Sequence, residues 1–552
     1  MLDETVRERE ERLDTVNRQP LPATIESIYG IPGGLRMATV KRSGYVPKAK
    51  KTLHNPSAEE LQQLTSEMPN ARRTEFGNYN VETRAVARSA SNTYIATDHP
   101  ERYSSQCVPK DEARRLGDMQ DDYIRDQEML IIDGAIGNHG ALVTPARLII
   151  EKSNANIAGM QRMLYYPAES SAPEPEVTII YTPNLPVTGY ANERAIIVDL
   201  DAGITRVMNS DYFGESKKGG LRMWNQKVYD LGGLPLHAGC KVVPTARGDR
   251  VMLIVGLSGT GKTTTTFTVQ NGSLPVQDDF AALLPNGRIV ATEDGCFAKT
   301  FGLDPRNEPA IHAAVIRPTS YLENVSQRKV DGPVDFHDDS YTQNGRAVFG
   351  LSDLGAFRDA NDIGALDALL ILNRNENIVP AVARLTGAQA AAYFMLGETQ
   401  GTSAGGKDEM GKFLRIPGTN PFFPSLHELQ GNRFMELLDR LTFEVFLLNT
   451  GRVGGPAEDQ RSKNVAIPHT SAVVKGIAEG NIAWVRDPDF GYDVAEGLPG
   501  FDDDELLRPR LLYQRQGRLG EYEQIVRRFK EERADELRKY PGLNPEILAA
   551  VG

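Results

Sequence analysis

The chain is punctuated by short apolar runs and has few long helical stripes. The segments MLIID (129–133), LVTPARLII (142–150), VTIIY (177–181) and RAIIVD (194–199) are bounded by Pro, Gly and Asn, and each predicts a β-strand. RVMLIV (250–255) is apolar without alternation, the pattern of a strand buried on both faces. A glycine-rich loop follows it at once. LPVQDD (274–279) predicts a further short strand ending in two acids, and DALLILN (367–373) and VFLLN (445–449) predict two more buried strands. In the tail, Tyr522, Ile525, Val526, Phe529 and Leu537 are spaced for one face of a helix between 520 and 540. Residues 1–20 read as a charged peripheral helix, and 20–80, rich in Pro, Gly and polar groups, predict few long elements. This mixture predicts an α/β (mixed α+β) fold. At 552 residues it predicts two lobes, 1–240 and 241–552, divided just before the strand that feeds the loop.

That loop carries the first chemistry. Gly256, Leu257, Ser258, Gly259, Thr260, Gly261, Lys262 and Thr263 fit G-x-x-x-x-G-K-[ST]. Glycines let successive backbone N–H groups curl around phosphate oxygens with no Cβ in the way. A helix starting at the loop points its positive end at the same phosphates. Lys262 is then expected to reach the β- and γ-phosphates of a nucleoside triphosphate, and the Thr263 hydroxyl to ligate Mg²⁺. Such a site needs a second acid near the metal, and Asp278 and Asp279 stand where one belongs.

Composition narrows the partners. A formal net charge of −12 argues against general binding to nucleic acid or anionic membrane. The three cysteines, Cys107, Cys240 and Cys296, are far apart, so a disulfide framework or zinc site is not expected and a cytoplasmic location is. Residues 1–20 contain no apolar signal core, and no run of about 18 apolar residues predicts a membrane span.

The sequence resembles the ATP-dependent phosphoenolpyruvate carboxykinases over residues 75 to 485. GLSGTGKTT (256–264) is similar to that family's phosphate loop, and YFGESKKG (212–219) resembles its Y-G-G-E-x-K-K-G. Leu236-His237 resembles its metal-ligand histidine, and EDGCFAKT (293–300) its E-G-G-C-Y-A-K-T. LENV (322–325), RLT (384–386) and LNTG (448–451) also match, as does Arg88-Ser89 in a weaker substrate segment. The resemblance implies a two-lobed fold with the active site in the cleft between lobes. It implies decarboxylation and phosphorylation of oxaloacetate by ATP, giving phosphoenolpyruvate, CO₂ and ADP, in gluconeogenesis or anaplerosis. By resemblance, Lys218, His237 and Asp279 would bind Mn²⁺, and Thr263 the Mg²⁺ that travels with ATP. Arg88, Tyr212, Lys218 and Arg384 would hold oxaloacetate or phosphoenolpyruvate. Ser258, Lys262 and Arg384 would stabilise the phosphoryl group in flight. Thr264, Lys299 and Thr470 would contact the nucleotide. The expected partners are these small molecules, with the chain a monomer or small homo-oligomer. A Gly-rich lid is expected at 397–411, with Gly401, Gly405 and Gly406.

Three stretches depart from the family. The substrate segment T-G-R-S-P-K-D-K is here ARSASNT (87–93). Phe280 stands where the family has glutamate after its two acids. K-R-I-S-I becomes KNVAI (463–467), placing Asn464 where an arginine contacts the nucleotide. Two alternatives follow: a P-loop kinase of this fold acting on another small molecule or a protein, and a GTP-using carboxykinase. A non-catalytic nucleotide-binding regulator is opposed by the intact Lys262, Thr263 and Asp279.

Overall fold

The structure, a computed structural model, describes residues 43–167, 174–257, 259–328, 332–400 and 412–551. The expected helix at 1–20, Ser258, and the lid glycines Gly401, Gly405 and Gly406 lie outside the described residues.

The predicted strands are present. Glu128–Ile136, Thr144–Glu151, Val177–Thr182 and Ala195–Asp199 belong to an eight-stranded mixed sheet. It runs in the order Lys51–His54, Glu128–Ile136, Thr144–Glu151, Val177–Thr182, Ile204–Met208, Ala195–Asp199, Thr93–Ala96, Cys107–Val108. The 18-residue helix Phe213–Asp230 packs on it, with Gly219 and Gly220 against Thr205 and Ile136.

A second eight-stranded sheet holds the loop-feeding strand Gly248–Val255. That strand pairs parallel with Ala368–Asn373, which pairs parallel with Glu444–Asn449. Antiparallel strands flank this core, with Leu274–Asp278 and Ala238–Thr245 on one side and Val382–Leu385, Asp493–Gly497 and Ala483–Arg486 on the other. Alternate residues of the central strands enter different cores. Leu253, Val255, Leu369, Ile371, Val445 and Leu447 enter one, and Met252, Ile254, Leu370, Leu372, Phe446 and Leu448 the other. Both faces are covered, which is why these segments read as continuous apolar runs.

A five-stranded sheet ties a segment near the start of the described chain to residues 295–350. Ala71–Arg73 and Tyr79–Val81 join Tyr321–Glu323, Arg346–Gly350 and Gly295–Lys299. The tail helix forms at Leu519–Leu537, with Tyr522, Ile525, Val526, Phe529 and Leu537 buried as their spacing predicts. Among the described residues, no helix is long and apolar enough to cross a membrane.

Candidate active site

Val255 ends the loop-feeding strand, and the chain then turns through Gly259 (φ 88°) and Gly261 (φ 87°) into the short helix Lys262–Phe267. Both glycines occupy backbone space that other residues reach only under strain. The loop is held from outside as well. Arg374 Nη1 donates to the Gly259 carbonyl at 2.8 Å, and Thr450 Oγ1 to the Thr260 carbonyl at 2.7 Å.

Asp279 is the hub of the site. It follows the strand Leu274–Asp278 and meets four side chains from three other elements. Lys262 Nζ lies 2.5 Å from Oδ1 and His237 Nε2 2.7 Å from the same oxygen. Lys218 Nζ lies 2.7 Å and Lys217 Nζ 3.2 Å from Oδ2. Burial by itself would raise this carboxyl, but Lys218, Lys262 and Lys217 hold it well below the usual carboxylate range. Beside it, Thr263 Oγ1 donates to Asp278 Oδ2 at 2.7 Å. Burial raises the Asp278 carboxyl.

The two lysines of the helix Phe213–Asp230 differ in environment. Lys217 has no exposed side-chain surface and forms a second ion pair, 2.8 Å to Glu293. Burial opposes its charge, yet Glu293 and Asp279 outweigh burial and raise its pKa. Burial brings Lys218 down to about 7. Its amine rests on the rings of Phe422, at 4.4 Å, and Phe280, at 5.1 Å. Phe280, where the sequence departs from the family, is buried with its ring 5.0 Å from that of His237. The position is an apolar wall behind the imidazole.

His237 has the chemistry of a metal ligand. Its Nδ1 lies 3.1 Å from the Thr419 carbonyl and its Nε2 2.7 Å from Asp279 Oδ1; both partners are acceptors, and a neutral ring, with one N–H, can donate to only one of them. Burial, then the Lys262 charge, lower the imidazole pKa to about 4, so the ring is neutral at pH 7. A neutral imidazole facing a carboxylate oxygen at 2.7 Å, beside an amine of lowered pKa, is a donor set that a divalent cation satisfies. Among the described residues no three His, Cys, Asp or Glu side chains gather for a metal, so a site here would have to include the amine.

A cavity of about 380 Å³ opens on this hub. Of the residues singled out in the sequence, Arg88, Tyr212, Lys218, His237, Leu257, Lys262, Thr263, Thr264 and Lys299 line it. Arg88 stacks on Phe422 at 5.8 Å, and the Tyr212 hydroxyl accepts from Asn344 Nδ2 at 3.2 Å. Burial, then Arg346 and Arg374, bring Lys299 down to about 8. Thr470 sits apart in an adjoining cavity of about 130 Å³, lined also by Gly259, Thr260, Gly261, Thr264 and Arg374. Gly256 has no room for a side chain, because a Cβ there would meet Thr260 Oγ1.

Arg384 is the correction. It lies on the strand Val382–Leu385, pairs with Asp493 at 2.9 Å and stacks on Trp484 at 5.1 Å. It lines a separate cavity of about 1300 Å³ together with Asp249, Asp367 and Glu444, which lie at the starts of the parallel strands. The glycine-rich loop is at the other end of those strands, about 16 Å of strand away. Arg384 therefore stands outside the cavity around Asp279. Arg346 and Arg374 are the arginines that join Arg88 in the cleft. Arg374 was legible by position, since it directly follows a buried parallel strand, and ligands gather beyond the carboxyl ends of such strands. Arg346 pairs in register with Lys299, a relation that only the sheet reveals.

Comparison with known proteins agrees with this geometry. A family model described as phosphoenolpyruvate carboxykinase matches residues 50–504. The chain is 29% identical over 441 residues to "Phosphoenolpyruvate carboxykinase (ATP) 2" of Moorella thermoacetica, covering 78% of this chain and 81% of that one. It is 28% identical over 519 residues to "Phosphoenolpyruvate carboxykinase (ATP)" of Geobacillus thermodenitrificans, covering 90% and 95%. It is 31% identical over 346 residues to the protein of that name from Rhodopseudomonas palustris, covering 61% and 63%.

Proposed function

The chain belongs to the phosphoenolpyruvate carboxykinase family, and we propose that it converts oxaloacetate and ATP to phosphoenolpyruvate, CO₂ and ADP in the cleft around Asp279. The observation that carries this reading is the convergence of Lys217, Lys218, Lys262 and His237 on one buried carboxylate beside a phosphate loop. A kinase needs the loop and its acid, but not a second cluster of an imidazole and two lysines next to an arginine-lined pocket. The P-loop kinase and the GTP-using enzyme are not favoured.

The family uses ATP and a divalent metal ion. We assign Lys218, His237 and Asp279 to hold Mn²⁺, and Thr263, with Asp278 beside it, to hold Mg²⁺. Metal bound there would stabilise enolate and phosphate charge as a Lewis acid. Arg88 and Tyr212 hold the keto acid, with the guanidinium suited to a carboxylate by two parallel hydrogen bonds. When the C–C bond to the leaving carboxylate breaks, its electron pair stays on the pyruvate fragment as an enolate and CO₂ departs. The enolate oxygen then attacks the γ-phosphorus, and the bond to the ADP oxygen breaks. Lys262 and the loop N–H groups follow the phosphate charge, and Arg346 and Arg374 add positive charge across the cleft. Lys299 and Thr470 are assigned to the nucleotide.

We propose two lobes divided near residue 240, supported by one large sheet built from 51–208 and another from 238–497, with a five-stranded sheet joining 71–81 to 295–350 across the division. A cytoplasmic location accords with the free cysteines Cys107, Cys240 and Cys296. A monomer or small homo-oligomer is proposed. The test is a coupled assay on purified protein with oxaloacetate, ATP or GTP, and Mg²⁺ plus Mn²⁺. Phosphoenolpyruvate is expected with ATP, and its absence with either nucleotide would reject the activity.

A further inference from the structure

The strongest buried charge network outside the hub lies in the tail. The helix Leu519–Leu537 follows residue 504, where the family match ends. Its Arg533 is 1% exposed. Arg533 grips Glu398 with two hydrogen bonds, Nε to Oε1 at 3.0 Å and Nη2 to Oε2 at 2.8 Å. Its Nη1 donates to the Tyr393 hydroxyl at 2.9 Å, and the guanidinium stacks between the rings of Tyr393, Phe490 and Phe529 at 4.9–5.3 Å.

Glu398 passes that hold on to the cleft. Its carboxylate also accepts from Arg415 Nη2 at 3.1 Å and from Asn373 Nδ2 at 3.3 Å. Asn373 ends the strand next to the loop-feeding strand, and the following residue, Arg374, donates to Gly259 of the phosphate loop. Thr399 follows Glu398, and Leu414 precedes Arg415. Arg374, Thr399 and Leu414 all line the cavity around Asp279. One carboxylate, fixed from the tail, thus directly precedes Thr399 and bonds to the residues adjoining Arg374 and Leu414.

Stability alone does not account for this arrangement. Burying two ions costs several kcal/mol each, and well-packed apolar residues of similar volume commonly serve stability as well or better. What two parallel hydrogen bonds supply, and apolar packing does not, is a fixed direction and distance. We infer that Arg533 is a positioning residue for the nucleotide site, acting through Glu398 on Arg374 and Thr399.

The inference rests on the nucleotide site proposed above, so ATP·Mg²⁺ binding is measured by calorimetry without oxaloacetate, beside steady-state kinetics and thermal unfolding of the full chain. Three variants are compared: Arg533→Met, Arg533→Lys, and Arg533→Met with Glu398→Met. Arg533→Met leaves the buried Glu398 charge with Arg415 as its remaining cation, so lower thermal stability and an ATP Kd and KM raised about tenfold or more are expected. The double variant removes both charges of the pair and leaves Arg415 its ion pair to Glu532 at 3.4 Å. It is expected to regain most of the stability while its ATP Kd and KM stay raised, and Arg533→Lys to fall between wild type and Arg533→Met. A double variant that recovers stability, Kd and KM together would reduce the pair to packing and overturn the inference. So would an Arg533→Met protein that loses stability with unchanged Kd and KM. If Arg533→Met does not fold, the other two variants decide. Wild-type protein that binds no ATP would fail the proposed nucleotide site itself. Wild-type protein that binds ATP without making phosphoenolpyruvate would fail only the proposed reaction, and the Kd comparison would still stand.

Discussion

Replacing Lys217 with methionine tests whether the hub is an electrostatic unit. The Lys217 side chain has no exposed surface, and its two partners, Glu293 and Asp279, are 6% and 15% exposed. Methionine fills the space but leaves Glu293 without its cation. Removing one partner of such a buried pair costs about 3–5 kcal/mol. For 552 residues unfolding as one unit, the unfolding entropy is about 1.2 kcal/mol/K, so the expected drop in Tm is about 3–4 °C. The pH dependence identifies the cause. Burial already raises the Glu293 carboxyl, and Lys217 is the first group that lowers it, so the variant's carboxyl rises further. The folded variant then holds a proton that the unfolded chain releases above the ordinary glutamate range. Its stability is therefore lost as pH rises through that window, and its deficit against wild type should shrink between pH 7 and pH 5. Lys217→Met with Glu293→Gln should recover most of the loss at pH 7. Scanning calorimetry of the three proteins at both pH values is the assay. A Tm within 1 °C of wild type at pH 7, or a deficit that does not change with pH, would refute the reasoning.

Lys262→Ala should lose turnover by orders of magnitude while keeping its circular dichroism spectrum, and an active variant would remove the loop from the chemistry. His237→Ala should weaken Mn²⁺ activation more than ATP binding, and an unchanged Mn²⁺ titration would take the imidazole out of the metal site. Gly239→Ala places a Cβ against Thr266 Oγ1 and 3.2 Å from Asp278 Oδ1, so about 1–3 kcal/mol of stability and a measurable loss of ATP affinity are expected, the latter read by calorimetry. Burial brings the Glu323 carboxyl up to about 8, so the folded protein keeps a proton there that the unfolded chain sheds above pH 4.5, and stability is lost as pH rises through 8. Glu323→Gln should therefore gain on wild type by up to about 1.4 kcal/mol per pH unit between pH 5 and 8, and parallel Tm profiles would exclude a protonated Glu323.

The local chemistry of this site was written in the sequence. A phosphate loop is a continuous backbone device, so its glycines, Lys262 and Thr263 declare themselves without the rest of the chain. The strands were legible for a related reason, since burial on both faces leaves a run such as 251–255 with no polar interruption. His237, Lys218 and Asp279 were legible through the resemblance, and the fold gathers them at 2.7 Å. Sequence could not say which end of a strand a residue occupies. Arg374 directly follows a buried strand and reaches the loop, whereas the antiparallel return of Val382–Leu385 sets Arg384 opposite Phe446 with its guanidinium on Asp493. Arg346 entered the site through a sheet register, and Phe280 became a wall through its contacts with His237 and Phe422. Arg533 lies 135 positions from Glu398, and that pairing was fixed by packing of the tail helix alone. Short-range backbone geometry and burial patterns are local properties of the chain. The balance of charges around Asp279 and Glu398 is a property of distances that exist only once the sheets have closed.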